Sequence, residues 1–155
     1  MPRSHLIVLL SIFFVAAAAA SCGGGGDREI DQVLDTRTKA FETKDLALYM
    51  TLVSPDYKQE KKGKTVGPEE VEKNFRINVD LFDKLSVRNA DRTINSDGKK
   101  AYVVQKTYVD ASIDDDKSKF RVIEKISLAK IDGKWLIVEE SDADFFTGYV
   151  FGGTK

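Results

Sequence analysis

The sequence predicts an α+β domain, with three helices toward the amino-terminal side packed on one face of a curved, mostly antiparallel sheet of about six strands. Three observations carry this. Apolar residues recur at steps of three and four up to about Phe82, then at steps of two from Lys84 onward. Asp-Gly pairs at Asp97-Gly98 and Asp132-Gly133 punctuate the later segments at hairpin spacing. The 129 residues from Asp27 to Lys155 suit one domain with its own core, and they contain no internal repeat.

Asp27 opens the first helix, with Ile30, Val33, Leu34, Arg37 and Phe41 on one stripe and Asp31, Asp35 and Lys39 on the other face. A second, short helix runs from about Lys44, with Leu46, Met50 and Val53 on one stripe and Leu48, Tyr49 and Leu52 beside it. Ser54-Pro55 stops it, because proline disfavours helix in the residue before it. Asp56 to Glu60 reads as a short strand, turned through Lys61–Lys64 into a brief partner at Thr65 and Val66. Gly67-Pro68-Glu69-Glu70 starts a third helix, with proline in the first turn and acids where the helix dipole is positive. Val71, Phe75 and Val79 or Phe82 form its buried stripe. Four strands follow, at Leu85–Asn95, Ala101–Ile113, Lys119–Lys130 and Lys134–Asp142, joined by Ser96-Asp97-Gly98, the acidic turn Asp114–Lys117, and Asp132-Gly133.

Residues 1–21 have the three-part layout of a secretory signal. Arg3 supplies the positive start, and Leu6 to Ala20 form an apolar run broken only by Ser11. Fifteen such residues fall short of the roughly 20 needed to span a bilayer. The run ends in Ala19-Ala20-Ser21-Cys22, small residues before a cysteine that resemble the lipobox of bacterial lipoproteins, although Ala19 stands where leucine is usual. Ordinary cleavage after Ala20 is the alternative. Cys22 is the only cysteine, so it has no intrachain disulfide partner, and acylation gives an exported thiol a role. The expectation is a signal over 1–21, a lipidated Cys22 with a glycine tether over 22–26, and a domain over 27–155 whose residues 143–155 are an aromatic tail. The protein is then exported and lipid-anchored at a bacterial cell envelope, with the membrane as its first partner.

Composition narrows the chemistry. One of the 24 basic residues, Arg3, leaves with the signal, so the mature chain sets 23 cations against 25 acids, a side-chain balance of −2. That argues against a nucleic-acid partner. The single histidine, His5, also leaves with the signal. Without histidine or a free thiol, no Ser-His-Asp triad, Cys-His pair or His-ligated zinc site can form. The glycines at 23–26 follow no strand and carry no Lys-Ser/Thr ending, so they are not a phosphate loop, and no cofactor is expected. Asp114–Asp116 lacks the spaced ligands and glycine of a calcium loop and reads as a solvated turn; no metal is expected.

The stretches Ala40-Phe41, Asp45-Leu46 and Leu52-Val53-Ser54-Pro55-Asp56-Tyr57, with the closing Asp132-Gly133-Lys134-Trp135-Leu136-Ile137-Val138, resemble the nuclear-transport-factor-2-like superfamily. This is the cone-shaped α+β fold shared with ketosteroid isomerase and the polyketide cyclases. The resemblance covers nearly all of residues 28–142. It implies a deep pocket between sheet and helices, and a homodimer through the outer face of the sheet. It does not choose a function, because the fold hosts enzymes, binding modules and assembly domains alike. Isomerase members use tyrosine and two acids in the pocket, and cyclase or hydrolase members use His-Asp or related sets. Neither set maps onto this chain, so the resemblance carries over no catalytic residue.

Pocket candidates come from polar residues on apolar strand parities. Glu124 falls among Phe120, Val122, Ile126 and Leu128, where a lone carboxylate is costly unless paired, hydrogen-bonded or protonated. It is either a pocket acid or half of an ion pair with a strand neighbour. Gln105 and Thr107 interrupt Ala101, Val103, Val109 and Ala111 in the same way, and with Glu124 and Glu139 would make a shared polar patch. Tyr57 is a further candidate. Tyr102 and Tyr108 lie on the opposite parity and read as packing or interface.

The expected function is non-catalytic: a membrane-tethered domain binding a small apolar or amphipathic ligand, or a protein partner. One alternative is an isomerase- or cyclase-like enzyme using Glu124 as general base. Another is an assembly domain dimerising through its sheet.

Overall fold

The computed structural model describes residues 24–61, 63–114 and 116–141. The signal, Cys22 and the aromatic tail lie outside the described residues. The order of elements is α1 (Gly24–Glu42), α2 (Leu46–Met50), β1 (Gln59–Lys61), β2 (Lys64–Val66), α3 (Pro68–Asp80), β3 (Lys84–Ser96), β4 (Lys100–Ile113), β5 (Asp116–Ile131) and β6 (Lys134–Glu140). Strands β3-β4-β5-β6 form an antiparallel sheet in chain order, and β1 pairs with β2 in a separate hairpin. The predicted class is therefore the observed one, three helices against a mostly antiparallel sheet. No helix among the described residues is long and apolar enough to cross a membrane.

The stripe Ile30, Leu34, Arg37, Phe41 is the buried face of α1, as the spacing requires. The helix begins at Gly24 rather than Asp27, so three of the four glycines form its first turn, next to the acid Asp27 at the positive end of the dipole. Lys44, at φ +56°, closes the segment, and its ammonium donates to the Phe82 carbonyl.

Only five residues of α2 are helical, and its buried side chain is Tyr49 rather than Leu46 or Met50. Tyr49 wins because it stacks on Phe75 at 4.6 Å and packs on Phe41 at 5.3 Å. The Asp45 carboxylate caps this helix by accepting from Leu48 N at 2.8 Å. Asp45→Ala is expected to lower stability by about 1 kcal/mol, read as a shift in the urea midpoint without a change in slope.

The strand expected at Asp56–Glu60 is shorter, because residues 52–58 run beside β6 instead. Ile137 N donates to Leu52 O, Ser54 N to Ile137 O and Lys58 N to Val138 O, at 2.8, 2.8 and 3.0 Å. This segment covers the β6 edge, which would otherwise present unpaired backbone groups. The β4–β5 hairpin is longer than expected, pairing through to Ile113 opposite Asp116. At the β5–β6 turn, Asp132 and Gly133 both take positive φ (+49° and +79°), the geometry that a two-residue hairpin with right-handed twist demands.

Two irregularities re-aim side chains. Register shifts between Ala90 and Thr93 on β3, where Asp91 has φ +50°, and Arg92 then turns inward. Register shifts again where Ser127 faces Glu139 but Leu128 faces Ile137, so β6 holds one extra residue. The core between helices and sheet includes Ile30, Leu34, Phe41, Val103, Val109, Ile126, Leu128 and Ile137.

Candidate functional site

A polar cluster lies inside this apolar core. Helical spacing carries Arg37 inward between Leu34 and Phe41, so its guanidinium is only 4% exposed and packs over the Phe41 ring at 4.7 Å. Across from it, strand alternation aims Glu124 (3%), Gln105 (1%) and Thr107 (0%) inward from β5 and β4. Gln105 and Glu124 are direct cross-strand partners.

Arg37 Nη2 donates to Glu124 Oε1 at 2.9 Å, and Arg37 Nε donates to Glu140 Oε1 at 2.5 Å. The second oxygen of Glu124 accepts from Gln105 Nε2 at 2.9 Å and from the Thr107 hydroxyl. The second oxygen of Glu140 accepts from the Tyr49 hydroxyl at 2.7 Å. One guanidinium thus bridges two carboxylates, and each carboxylate is closed off by neutral donors.

A second arginine extends the chain of bonds to the surface. Arg92 Nε donates to Gln105 Oε1 at 2.9 Å, while its Nη1 and Nη2 donate to Asp31 and Asp35 of α1 at 2.7 and 3.0 Å. Asn89 Nδ2 donates to Thr38 Oγ1 at 2.6 Å. Among the described residues, no buried side-chain polar atom lacks a hydrogen-bond partner.

The electrostatics follow from these contacts. Burial pushes the Glu124 carboxyl up, but the Arg37 charge and the donors Thr107 and Gln105 outweigh it, leaving its pKa below the ordinary carboxylate value. Burial likewise opposes the charge on Arg37, and Glu124 and Glu140 more than offset it. Burial and the adjacent Glu140 push the Tyr49 hydroxyl well above its ordinary value, and do the same for Tyr57. At neutral pH the cluster is a guanidinium between carboxylates, with both tyrosines protonated. Its acids are ionised acceptors rather than proton carriers.

Of the residues singled out in the sequence, Glu124, Gln105 and Thr107 come together. Tyr57 is buried near them, and its hydroxyl donates to Gln59 Oε1 at 3.3 Å. Glu139 does not join. It is exposed, and Glu140 takes the inward place, because the extra residue in β6 reverses the parity after Ile137. The partner of Glu124 is on helix α1, not on a neighbouring strand. Sequence reasoning assigned no role to Arg37, although a cation on the apolar stripe of α1 and an acid on the apolar parity of β5 were both visible. Tyr49 and Arg92 were missed as members of the network, and Arg92 reaches it only through the β3 bulge.

Among the described residues no group of His, Cys, Asp or Glu side chains is placed to hold a metal ion. Open concavities lie on the outer face of the sheet, one of about 450 Å³ between Arg88, Tyr108 and Arg121 and one of about 590 Å³ beside Lys84, Asp110 and Lys117.

Comparison with known proteins matches residues 30–141 to the SnoaL-like domain. No protein of curated function matches by sequence. Among solved structures, a candidate dehydratase of the nuclear-transport-factor-2-like family from Streptomyces avermitilis superposes with a TM-score of 0.66 at 12% identity, covering 74% of this chain and 93% of that one. A candidate ketosteroid isomerase from Shewanella frigidimarina gives 0.64 at 16%, covering 75% and 95%. A candidate calcium/calmodulin-dependent protein kinase II association domain from Xanthomonas campestris gives 0.64 at 21%, covering 84% and 94%. At these identities the likeness is one of fold.

Proposed function

This chain belongs to the SnoaL-like domain family, and we propose that it serves as a lipid-tethered envelope protein whose domain binds a ligand or partner without catalysing a reaction. One observation carries the non-catalytic part. Glu124, the acid placed best to act as a base, is held ionised by Arg37 and has both oxygens occupied by donors. A general base must be free to take a proton and needs a pKa near the working pH, whereas this carboxylate is shifted the opposite way. The buried network therefore reads as the internal brace of a binding scaffold. The tether part rests on the small residues before the lone Cys22 and on the apolar run ahead of them.

The enzyme reading draws on the candidate isomerase and dehydratase among the similar folds. It requires Arg37 to release Glu124 when substrate arrives, at the cost of a buried charge pair.

Native mass spectrometry of detergent-extracted protein tests the proposal. The expected species is a chain starting at Cys22 with added acyl mass, and Cys22→Ser should move the protein from the membrane to the soluble fraction. An unmodified Cys22, or membrane partition unchanged in the variant, sinks the tether. Turnover of a ketosteroid that disappears in a still-folded Glu124→Gln variant overturns the non-catalytic reading.

A further inference from the structure

The outer face of the sheet is strongly charged, and the buried network makes no use of it. Leu85, Val87, Val103, Val109, Ile126 and Leu128 face the core, so the residues alternating with them face outward. Strand register lines these up in rows: Arg88, Tyr108 and Arg121; Ser86, Asp110 and Lys119; Lys84, Ser112 and Lys117. Lys125 stands outward opposite Val104.

Of the cations Lys84, Arg88, Lys117, Lys119, Arg121 and Lys125, Lys119 pairs with Asp110 at 3.0 Å, and the others have no ion pair among the described residues. Arg88 lies over the Tyr108 ring at 4.3 Å. The two concavities adjoin here, sharing Ser86, Asp110 and Lys119. Ile123 and Tyr102, 49% and 46% exposed, stand on the same face. The other side of the molecule is acidic, with Glu69, Glu70, Glu72 and Asp80 on α3 against Lys73 and Arg76. A chain near neutrality overall is therefore polarised across its thickness, and Asp114 and Asp116 at the β4–β5 turn mark where the positive field ends.

We propose that this face docks on anionic phospholipid headgroups, laying the sheet against the membrane that holds the tether. The inference rests on the lipid-anchored reading. Cys22 is two residues before the first helical residue, Gly24, so an acylated cysteine leaves almost no chain to hold the domain away from the bilayer. The domain's charges then lie within about one Debye length, about 8–10 Å, of the headgroups, where screening is incomplete. Each Lys or Arg near an anionic surface raises partitioning roughly fivefold. Ile123 and Tyr102 are suited to the boundary between headgroups and acyl chains. A second copy meeting this face would set cations against cations, so charge complementarity selects an anionic surface over a sheet-to-sheet dimer.

The test uses the mature chain from residue 22 with Cys22→Ser, so that no acyl chain contributes. It should sediment with vesicles of mixed phosphatidylglycerol and phosphatidylcholine and remain in solution with phosphatidylcholine alone. Arg121→Gln combined with Lys125→Gln should lower partitioning roughly 25-fold with unfolding unchanged, and added salt should do the same to the parent. No binding, equal binding to both vesicles, or binding unaltered in the double variant overturns the proposal. So does retention on polyglutamate without vesicle binding, or a dimer abolished by the same two substitutions. Vesicle binding together with an unmodified Cys22 in cells would remove the tether and leave the docking face standing. An acylated Cys22 without vesicle binding would do the reverse.

Discussion

Replacing Arg37 with methionine is expected to destabilise the domain by about 5 kcal/mol, the upper end of the range for breaking a buried ion pair from one side. A domain of this size has about 5–15 kcal/mol in total, so the variant should be partly unfolded at room temperature. The reason is that Arg37 is the cation shared by Glu124 and Glu140, and methionine keeps much of the packing against Phe41 while leaving both carboxylates without it. Both acids then favour the protonated form when folded, so their pKa values rise above the unfolded ones. Stability of the variant is greatest below the unfolded carboxylate value and falls as pH rises through the raised ones. Adding Glu124→Gln and Glu140→Gln to Arg37→Met should recover most of the loss, because it removes the stranded charges. Urea unfolding at neutral and acidic pH measures this. A single variant as stable as the parent at neutral pH, or a triple variant no better than the single, would dismiss the network as a brace.

Glu124→Gln should cost about 3 kcal/mol at neutral pH. The smaller figure reflects what remains: Arg37 keeps Glu140, and the amide still accepts hydrogen bonds. The pH dependence has the opposite sign from that of Arg37→Met. Glu124 has a pKa below the usual 4.5 in the folded protein, so the unfolded chain takes up this proton first. Its contribution is present above 4.5 and is lost as pH falls through the depressed value. In the parent protein, acid should therefore erode stability in that window, and in the variant this part of the slope should vanish. Thermal melts between mild acid and neutrality decide it. A variant that melts with the parent at neutral pH shows that the charge contributes nothing, and one that melts higher shows that its desolvation outweighs its pairing.

Most of the fold was legible in the residues because local periods and turn chemistry agree. The stripe of α1, the Pro68 start of α3, and the Asp97-Gly98 and Asp132-Gly133 turns all appear where the sequence places them. Legibility failed where a tertiary contact outcompeted a local pattern. Residues 56–58 have strand character, but the segment satisfies its backbone against the β6 edge instead. The expected stripe of α2 gives way to Tyr49, because the aromatic cluster with Phe41 and Phe75 buries more surface than Leu46 or Met50 could in a helix of five residues.

By itself the sequence determined the α+β class, the order of helices and strands, and the inward aim of Glu124, Gln105 and Thr107. It also excluded catalysis by histidine or cysteine from the mature chain. Each of these depends on residue identity or on a period of two or 3.6, and neither needs a distant partner. Which residues meet across the core was decided by the tertiary structure alone. The partner of Glu124 is 87 positions away on α1, and a single extra residue in β6 brings in Glu140 and turns Glu139 to solvent. Strand alternation propagates only while register is kept, so one bulge inverts every later assignment, and register is set by pairing with another strand rather than by the strand's own residues.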